Sequence, residues 1–476
     1  MKRDDMTYRP IDDAVIRKLH ALLGEDAVLT DEDSLERYSR DETTELSGRP
    51  EAVVKPENTK GVSQVMRLAS ELVIPVTARS GGTGVTGGAV ASMGGIVLSF
   101  ERMNRIIEVD TDNLMAVVQP GVITGDIARA AVAEGLMYPP DPASIDSCCI
   151  GGNVSESAGG PSAVKYGTTK DYVTGLEVVF ADGRVSRLGG KVVKNATGYN
   201  LIGLMIGSEG TLGIFTEITV RLIPMPAFTM DLLVPFDDLF AAARAASDII
   251  RARVVPATIE FIQREATTMA ERFLGKQIPF ADAGAQLLIR LDGDDRQNVE
   301  RQMERLWEAA SAHGALDVIT ADSTATSDRL WEARRCLREA IVAESEAKEG
   351  EDVVVPRKEI PLFVARAKEL LDGLNLSSIF FGHIGDGNVH VEIIKGKLST
   401  DDWLRALPRA REGLYRLASE MGGLLTGEHG IGSIRREYLP ISLDEAQMDG
   451  MRGIKTALDP LNILNPKKIF PEADSR

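Results

Sequence analysis

Apolar residues near the start of the chain follow helical and strand-like spacings in turn. Helices are predicted over 12–23, where Gly24 supplies a stop, along the stripe from Val62 to Ala69, and over 125–134. Short apolar runs bounded by turn residues predict strands at 52–54, 74–78, 96–99, 106–109, 115–118 and 176–180. Together these elements predict an α+β or α/β beginning to the fold.

The pattern changes at Pro224-Met225-Pro226, a candidate domain boundary. Beyond it, strands are predicted at 229–234, 257–262, 286–291, 316–320, 352–355 and 378–382. Two amphipathic helices are marked by the stripes Met303, Leu306, Trp307, Ala310 and Leu330, Ala333, Leu337, Ile341. Short links between strands and helices predict an α+β sheet layered with helices.

A glycine-rich loop, Ser80–Gly88, follows the strand predicted at 74–78. It contains the G-x-G-x-x-G dinucleotide fingerprint, and Glu101 lies about 20 residues on, where that fingerprint expects an acid. The fingerprint also needs a helix that opens inside the motif, whereas the seven residues 89–95 leave no room for one before the next strand. We therefore expect backbone N–H groups that cradle a phosphate, with an ordinary glycine turn as the alternative.

Two further glycine groups follow. Pro139–Pro142 excludes regular structure, after which Gly151–Asn153 and Ala158–Gly160 flank a short polar segment. The third group is Gly207–Ile214. We interpret all three groups as loops, and their clustering favours one extended ligand over independent turns, because glycine lets a ligand approach the backbone closely.

Composition and charge narrow the classes of function. The 476 residues carry a net charge of −17, which argues against a nucleic-acid partner, because such partners need a basic surface. No apolar run approaches the ~20 residues of a membrane span, and no apolar segment follows Met1–Asp5, so no secretory signal is expected. The three cysteines predict a reducing, cytoplasmic setting and form no iron–sulfur or haem motif.

Three of the five histidines fall in two glycine-flanked motifs, Gly382–His390 and Gly427–Gly432. His383 and His390 would face opposite ways on a regular strand. A bulge at Gly385–Gly387 would bring both rings to one side.

With Glu428, these two histidines would give a metal site of mixed nitrogen and oxygen ligands with open positions. His429 could then serve as a base, because imidazole changes its protonation near neutral pH. The alternative is a set of loop histidines hydrogen-bonded near a domain interface.

These motifs occur together and in order, and with the tail Leu461–Pro466 they resemble the FAD-linked 2-hydroxy-acid dehydrogenases of the vanillyl-alcohol-oxidase-type flavoprotein superfamily. That family includes D-lactate dehydrogenases, glycolate oxidase FAD subunits and D-2-hydroxyglutarate dehydrogenases. The resemblance implies an α+β fold with a two-subdomain, PCMH-type FAD-binding domain over 1–224. It also implies an α+β cap domain with an antiparallel sheet over 225–424 and a C-terminal helical segment over 425–476 that returns to the flavin.

The resemblance also implies which residues hold FAD. The pyrophosphate would lie on Ser80, Gly81, Gly82, Thr83 and Gly84, with Gly87 in the same loop. The rest of the cofactor would be lined by Pro139, Asp141, Ser144, Gly152, Asn153, Gly159, Glu209, Gly213, Ile214 and Asn465. Because no histidine lies between His20 and His313, we expect FAD to be held non-covalently.

The family's metal ligands correspond to His383, His390 and Glu428, and its base corresponds to His429. Zn²⁺ or Mn²⁺ suits such ligands and would lower the pKa of a substrate hydroxyl. Arg334 corresponds to the residue that binds the substrate carboxylate, with a surface helix charge as the alternative.

Hydroxyglutarate enzymes have a Lys where this chain has Glu349-Gly350-Glu351 and an Asn where it has Glu392. These departures favour a small monocarboxylate such as lactate or glycolate. Lys348 lies nearby in the sequence, and compensation by Arg338 stays open as the alternative.

The resemblance implies metal-assisted oxidation of a D-2-hydroxy acid of the lactate, glycolate or 2-hydroxyglutarate type to the 2-keto acid, with hydride transfer to flavin N5. The electrons would then pass to an external acceptor, because the chain shows no second redox motif. That acceptor would be an electron-transfer flavoprotein, an iron–sulfur subunit, a quinone or a cytochrome. Two other functions stay open: a non-redox FAD enzyme such as an alkyl-glycerone-phosphate synthase, and a metal-dependent hydrolase that uses only the histidine site. The oligomeric state, a homodimer included, and peripheral contact with a membrane also stay open.

Overall fold

The computed structural model describes residues 7–43, 46–321, 323–345 and 347–472, so the charged N-terminus lies outside them. The chain divides into two compact units. The first unit holds residues 1–158, 168–225 and 428–476, and the second holds 159–167 and 226–427. Among the described helices, none is long and apolar enough to cross a membrane.

The described residues before Pro226 form seven α-helices and eleven strands, besides two short 3₁₀ helices. The helices are α1 Asp13–Leu23, α2 Glu32–Arg37, α3 Thr59–Leu72, α4 Thr124–Ala133, α5 Ile150–Glu156, α6 Ala163–Tyr166 and α7 Leu201–Met205. The strands are β1 Val28–Leu29, β2 Ala52–Val54, β3 Val76–Arg79, β4 Ile96–Ser99, β5 Ile106–Asp110, β6 Met115–Val118, β7 Leu136–Met137, β8 Val173–Val179, β9 Val185–Gly189, β10 Ile214–Arg221 and β11 Ile223–Pro224.

The described residues from Pro226 onwards form eight α-helices and seven strands, besides two short 3₁₀ helices. The helices are α8 Leu239–Arg251, α9 Arg264–Leu274, α10 Arg296–Ala312, α11 Thr324–Arg335, α12 Leu337–Glu344, α13 Ile360–Gly373, α14 Thr400–Glu420 and α15 Glu445–Leu458. The strands are β12 Phe228–Phe236, β13 Thr258–Gln263, β14 Ala285–Gly293, β15 Ile319–Thr320, β16 Lys348–Val354, β17 Ser377–His383 and β18 Asn388–Ile394.

The first unit is built on two larger sheets. One has the order β1-β2-β4-β3, with β4 parallel to both of its neighbours, and the other is an antiparallel sheet of order β5-β6-β10-β8-β9. Helix α3 packs its apolar stripe into the core beside the first sheet, with Val62, Val65 and Met66 fully buried. Asn58 caps this helix through its side chain, which accepts the backbone N–H of Gly61.

The C-terminal tail returns to the first unit. Val76 of β3 donates its N–H to the carbonyl of Ile463 at 2.7 Å, and Asn465 donates its N–H to the carbonyl of Val76 at 2.8 Å. Helix α15 is tied to the tail by buried Lys455, which donates to the carbonyls of Thr211 and Leu464. The tail thereby adds to the edge where the glycine-rich loop begins.

The second unit is built on a seven-stranded sheet in the order β15-β12-β14-β13-β17-β18-β16. Every pairing in it is antiparallel, as the sequence predicted for this part of the chain. The short segment 159–167 belongs to this unit. Tyr166 donates its hydroxyl to Asp292 of β14 at 2.5 Å, and Lys165 forms an ion pair with the same carboxylate.

Two predicted helical stripes were wrong in detail. The stripe from Leu330 to Ile341 is broken at Cys336 into α11 and α12, because the two halves bury in different places. Leu330 packs with Leu233 and Leu288, whereas Leu337 and Ile341 pack in a separate cluster with Ile262 and Phe381.

In the other stripe, Leu306 and Ala310 are buried but Trp307 is 54% exposed. Helix α10 therefore buries a narrower face than its sequence indicated.

Candidate active site

The glycine-rich loop leaves β3 and reaches β4 without a helix, in residues that the structure describes throughout. The dinucleotide fingerprint reading is thereby excluded. Among the described residues, the backbone N–H groups of Gly81, Gly82, Thr83 and Gly84 donate no hydrogen bond. Gly82 has a φ of +69°, and a Cβ there would lie 2.2 Å from the guanidinium of Arg79. A run of unsatisfied N–H groups in a glycine loop is an anion-binding arrangement and fits a pyrophosphate.

In the second glycine group, Gly151–Asn153 lies in a helix, so its interpretation as a loop was wrong, whereas Ala158–Gly160 is irregular as predicted. Helix α5 begins beside the glycine-rich loop, where a Cβ on Gly151 would lie 2.8 Å from Ser80 Oγ and 2.7 Å from Pro120 Cβ. Close packing is therefore what requires glycine here. The side chain of Asn153 is buried and donates to Thr124 Oγ1 at 2.7 Å, whereas the space beside Gly152 is open.

The third glycine group and the tail meet the glycine-rich loop at Asn465. Its Nδ2 donates to the carbonyls of Gly88 and Glu209 at 2.9 and 2.8 Å. The carboxylate of Glu209 accepts the backbone N–H groups of Ile431 and Gly432 at 2.8 and 2.7 Å. These hydrogen bonds join the glycine-rich loop, the segment around Glu209 and the C-terminal part of the chain, which are far apart in the sequence.

The remaining predicted cofactor residues are distributed along both units. Gly213 packs against Val178 and leads into β10, which starts at Ile214. Pro139, Asp141 and Ser144 lie in the irregular segment between β7 and α5. Gly159 belongs to the second unit.

Two acidic side chains crowd Gly430 in the first unit. A Cβ on Gly430 would lie 2.1 Å from Glu156 Oε2 and 3.1 Å from Glu209 Oε1. Glu156 Oε2 is buried and has no hydrogen-bond partner among the described residues. Burial, Glu209 and Asp41 raise the pKa of Glu156 well above its ordinary value, while Arg435 opposes them. Burial also raises the pKa of Glu209, against its two backbone donors and the charges of Lys468 and Arg435.

The histidine motif of the second unit is a hairpin formed by β17, residues 384–387 and β18, and not a bulged strand as predicted. Gly387 makes the turn with a φ of +99°, and a Cβ there would lie 2.2 Å from the carbonyl of Val355. The hairpin brings His383 Nε2 to 3.4 Å from His390 Nε2. Two nitrogens bound about 2.1 Å from one tetrahedral metal ion lie about 3.4 Å apart, so this spacing fits a shared metal.

A buried acid that the sequence analysis missed supports this hairpin. Glu260 of β13 has no exposed surface, and its Oε1 accepts His383 Nδ1 at 2.5 Å. Its Oε2 accepts Arg334 Nε at 2.8 Å, and the Arg334 guanidinium also lies 4.8 Å from the Phe381 ring centre. Burial raises the pKa of Glu260, but His383 and Arg334 outweigh burial and hold that pKa below its ordinary value. Arg334 is therefore not the surface charge that was the alternative.

A second missed acid, Asp352 of β16, holds the chain just before Glu428. The fully buried Asp352 carboxylate accepts Thr426 Oγ1 at 2.6 Å, the N–H of Gly427 at 3.1 Å and Asn388 Nδ2. Gly427 is the last residue of the second unit, and Glu428 follows it directly.

Ligand atoms of Glu428, His383 and His390 lie within 4.8 Å of one another. The two imidazoles and the carboxylate form a nitrogen and oxygen donor set that suits Zn²⁺ or Mn²⁺.

His429 follows in the first unit, where its carbonyl accepts Thr86 Oγ1 at 3.3 Å. Both missed acids carried a signal in the sequence. Glu260 interrupts the apolar run Ile259 to Ile262, and Asp352 precedes Val353-Val354-Val355. A charged residue within a buried strand needs partners. Those of Glu260 are site residues, whereas those of Asp352 lie next to site residues in the chain or on the strand that carries His390.

Comparisons with known proteins agree with this architecture. Residues 225–469 match the family "FAD linked oxidases, C-terminal domain", and residues 50–189 match the family "FAD binding domain". The chain belongs to the FAD-linked oxidase family and is an FAD-linked oxidoreductase.

Curated relatives match nearly the whole chain. It is 41% identical to glycolate oxidase subunit GlcD of Bacillus subtilis, over 91% of this chain and 92% of that protein. It is 37% identical to a D-lactate dehydrogenase of Anaerostipes hadrus, over 97% and 98% of the two chains. It is 34% identical to a D-2-hydroxyglutarate dehydrogenase of Xanthomonas citri, over 94% of both.

Among solved structures, p-cresol methylhydroxylase shares the fold with a TM-score of 0.78 at 19% identity, covering 95% of this chain and 96% of that one. An alkyldihydroxyacetonephosphate synthase matches with a TM-score of 0.76 at 18% identity, over 98% and 88%. At these identities the likeness concerns the fold alone.

Proposed function

We propose that this protein oxidises a small D-2-hydroxy acid to the corresponding 2-keto acid, with FAD and a divalent metal bound. The observation that carries the proposal is the His383, His390 and Glu428 donor set beside an arginine held by a buried carboxylate. Bound FAD supplies a hydride acceptor, and a bound metal supplies a Lewis acid for the substrate hydroxyl. The names of the curated relatives support the same class of substrate.

Each side chain then has a defined task. His383 and His390 offer Nε2 atoms and Glu428 offers a carboxylate to the metal. Arg334 keeps N–H groups for the substrate carboxylate, since a guanidinium has five donors, of which Nε donates to Glu260 and one Nη makes an ion-pair contact with it. His429 accepts the hydroxyl proton, so that the substrate loses one proton and one hydride.

The pairing of Lys348 supports a monocarboxylate substrate. Lys348 Nζ lies 2.7 Å from Glu392 Oε2, and both side chains are mostly buried. Glu392 shares a face of β18 with His390, two residues away. A second substrate carboxylate would therefore meet a neutralised ion pair, which favours lactate-sized or glycolate-sized acids over 2-hydroxyglutarate.

FAD is proposed to be non-covalent, and electrons are proposed to leave to an external flavoprotein, iron–sulfur protein, quinone or cytochrome. The absence of a histidine between His20 and His313 in the sequence supports the first point. All three cysteines are free thiols, which supports a reducing, cytoplasmic setting.

The test is turnover with an artificial electron-accepting dye across matched D- and L-2-hydroxy acids, with the 2-keto acid measured as product. We expect glycolate and D-acids of the size of lactate or glycerate to be oxidised. We also expect acid precipitation to release the flavin, because it is held non-covalently. A protein that contains flavin but reduces no dye with any of these acids would point to a non-redox enzyme. Metal without flavin would point to a hydrolase.

A further inference from the structure

Glu260 is placed to serve two groups with one carboxylate. It sits in the middle of β13 with no exposed surface, and each of its oxygens contacts a different partner. Oε1 lies 2.5 Å from His383 Nδ1, and Oε2 lies 2.8 Å from Arg334 Nε and 2.7 Å from an Arg334 Nη. A buried carboxylate is stable only when such partners replace water, so the three side chains form one unit.

The contact with His383 selects which ring nitrogen can bind a metal. An ionised carboxylate only accepts hydrogen bonds, so the proton of a neutral His383 ring resides on Nδ1. The lone pair then lies on Nε2, the atom that is 3.4 Å from His390 Nε2. Carboxylates that orient metal-binding histidines in this way commonly strengthen metal binding.

The contact with Arg334 fixes the orientation of a planar cation. A hydrogen bond from Nε and an ion-pair contact from one Nη, both to Oε2, hold the guanidinium in place together with the Phe381 ring, 4.8 Å away. Its side chain is 11% exposed, so little freedom remains. A cation held in advance binds a substrate carboxylate with less loss of side-chain entropy.

We propose that Glu260 is a positioning residue that holds His383 ready for the metal and Arg334 ready for the substrate carboxylate. The proposal rests on the proposed function, since it assumes that these two groups are ligand-binding. Metal affinity and substrate affinity would then both depend on the one buried carboxylate of Glu260.

The test measures Mn²⁺ binding by electron paramagnetic resonance in the full-length protein after metal is stripped with a chelator. We expect Glu260→Gln to weaken Mn²⁺ binding about 10–100-fold, the usual effect of losing such a partner. Oxalate, a stable dicarboxylate mimic of the substrate, should bind the Mn²⁺-loaded variant at least tenfold more weakly. Glu260→Asp keeps the charge and should restore part of both affinities.

The matched control is Glu351→Gln. Glu351 of β16 is as deeply buried and is also paired with an arginine, Arg411 at 2.8 Å. We expect it to leave Mn²⁺ affinity within twofold of the wild type. Equal losses in Glu351→Gln and Glu260→Gln, or no loss in Glu260→Gln, would overturn the proposal.

A measurement on the wild type keeps the proposal testable if Glu260→Gln does not fold. ¹⁵N NMR of the metal-free protein reports the tautomer of His383, and we expect the proton on Nδ1. A proton on Nε2 would overturn the proposal. A wild type that binds no Mn²⁺ would instead contradict the proposed function, while the tautomer still tests Glu260.

Discussion

The carboxylate of Asp352 accepts the backbone N–H of Gly427 at 3.1 Å and thereby fixes the residue that precedes Glu428. The same carboxylate accepts Thr426 Oγ1 and the side-chain amide of Asn388, the first residue of β18. Asp352 thus joins the start of β18, the strand that carries His390, to the segment that leads into Glu428. We expect the proposed metal site to depend on this link.

Replacing Asp352 with Ala should weaken metal binding by about 10–100-fold without removing any ligand. It should also lower the free energy of unfolding by about 1–3 kcal/mol, because buried donors lose their acceptor. Mn²⁺ titration and chemical unfolding measure the two effects. Asp372→Asn, at an exposed position on α13, is the control and should change neither quantity. Unchanged Mn²⁺ affinity in Asp352→Ala would contradict the positioning role.

Replacing Arg334 with Gln should lower kcat/KM for a D-2-hydroxy acid about 10–100-fold, mainly through KM. The hydrogen bonds that Arg334 would donate to the substrate carboxylate contribute about 1.5–3 kcal/mol of binding free energy, which the variant would lose. Arg334→Lys should recover little, since an ammonium does not reproduce the planar fork. Arg335→Gln changes the exposed neighbour and should leave the kinetics unaltered. A similar fall in both variants would argue for a general effect on α11.

Stability should fall with rising pH because of Glu156. Its pKa in the folded protein is raised well above the ordinary value, chiefly by burial and by Glu209, so the folded state retains a proton that the unfolded chain has released. That stability is complete below the unfolded pKa and is lost as pH rises through the folded pKa.

Glu156→Gln should therefore raise the free energy of unfolding by about 1–3 kcal/mol at pH 8, and by less at pH 5, in the FAD-free protein. Denaturant unfolding at both pH values measures this difference. The exposed Glu71→Gln on α3 should have no such effect. A pH-independent change in Glu156→Gln would exclude a retained proton.

The turn of the histidine hairpin should not tolerate a side chain at Gly387. Its φ of +99° and the Val355 carbonyl, 2.2 Å from a Cβ, make Gly387→Ala strained and crowded. We expect a loss of about 1–3 kcal/mol in stability and weaker Mn²⁺ binding. Gly373→Ala has nothing within 4 Å of its Cβ and is the control. Thermal unfolding with equal losses in both variants would contradict this account of the turn.

Much of the fold and the histidine motif could be predicted from the sequence, because local patterns of residues identify them. Strands such as 96–99 and 115–118 are fully buried runs between turn residues, and a local pattern is enough to identify them. Three of five histidines near glycine also stand out against the rest of the chain. Family resemblance then supplied the order of the domains.

Other features depend on contacts between distant segments and could not be deduced locally. Helix α5 forms although it contains two glycines, because Gly151 packs against Pro120 and Ser80. Glu260 lies 123 residues before His383 in the sequence, and only the pairing of β13 with β17 brings them together. The hairpin at 384–387 likewise needs Val355 to define its geometry.

Metal-assisted oxidation of a D-2-hydroxy acid is tested most simply by anaerobic flavin bleaching on mixing the FAD-loaded, metal-loaded protein with D-lactate, glycolate or L-lactate. We predict that D-lactate or glycolate abolishes the visible absorbance of oxidised flavin and that L-lactate does not. His390→Ala or prior metal removal should slow bleaching at least 100-fold, whereas His313→Ala should not. Bleaching that is equally fast after metal removal would exclude a role for the metal, and no bleaching with glycolate or any D-acid would exclude 2-hydroxy-acid oxidation.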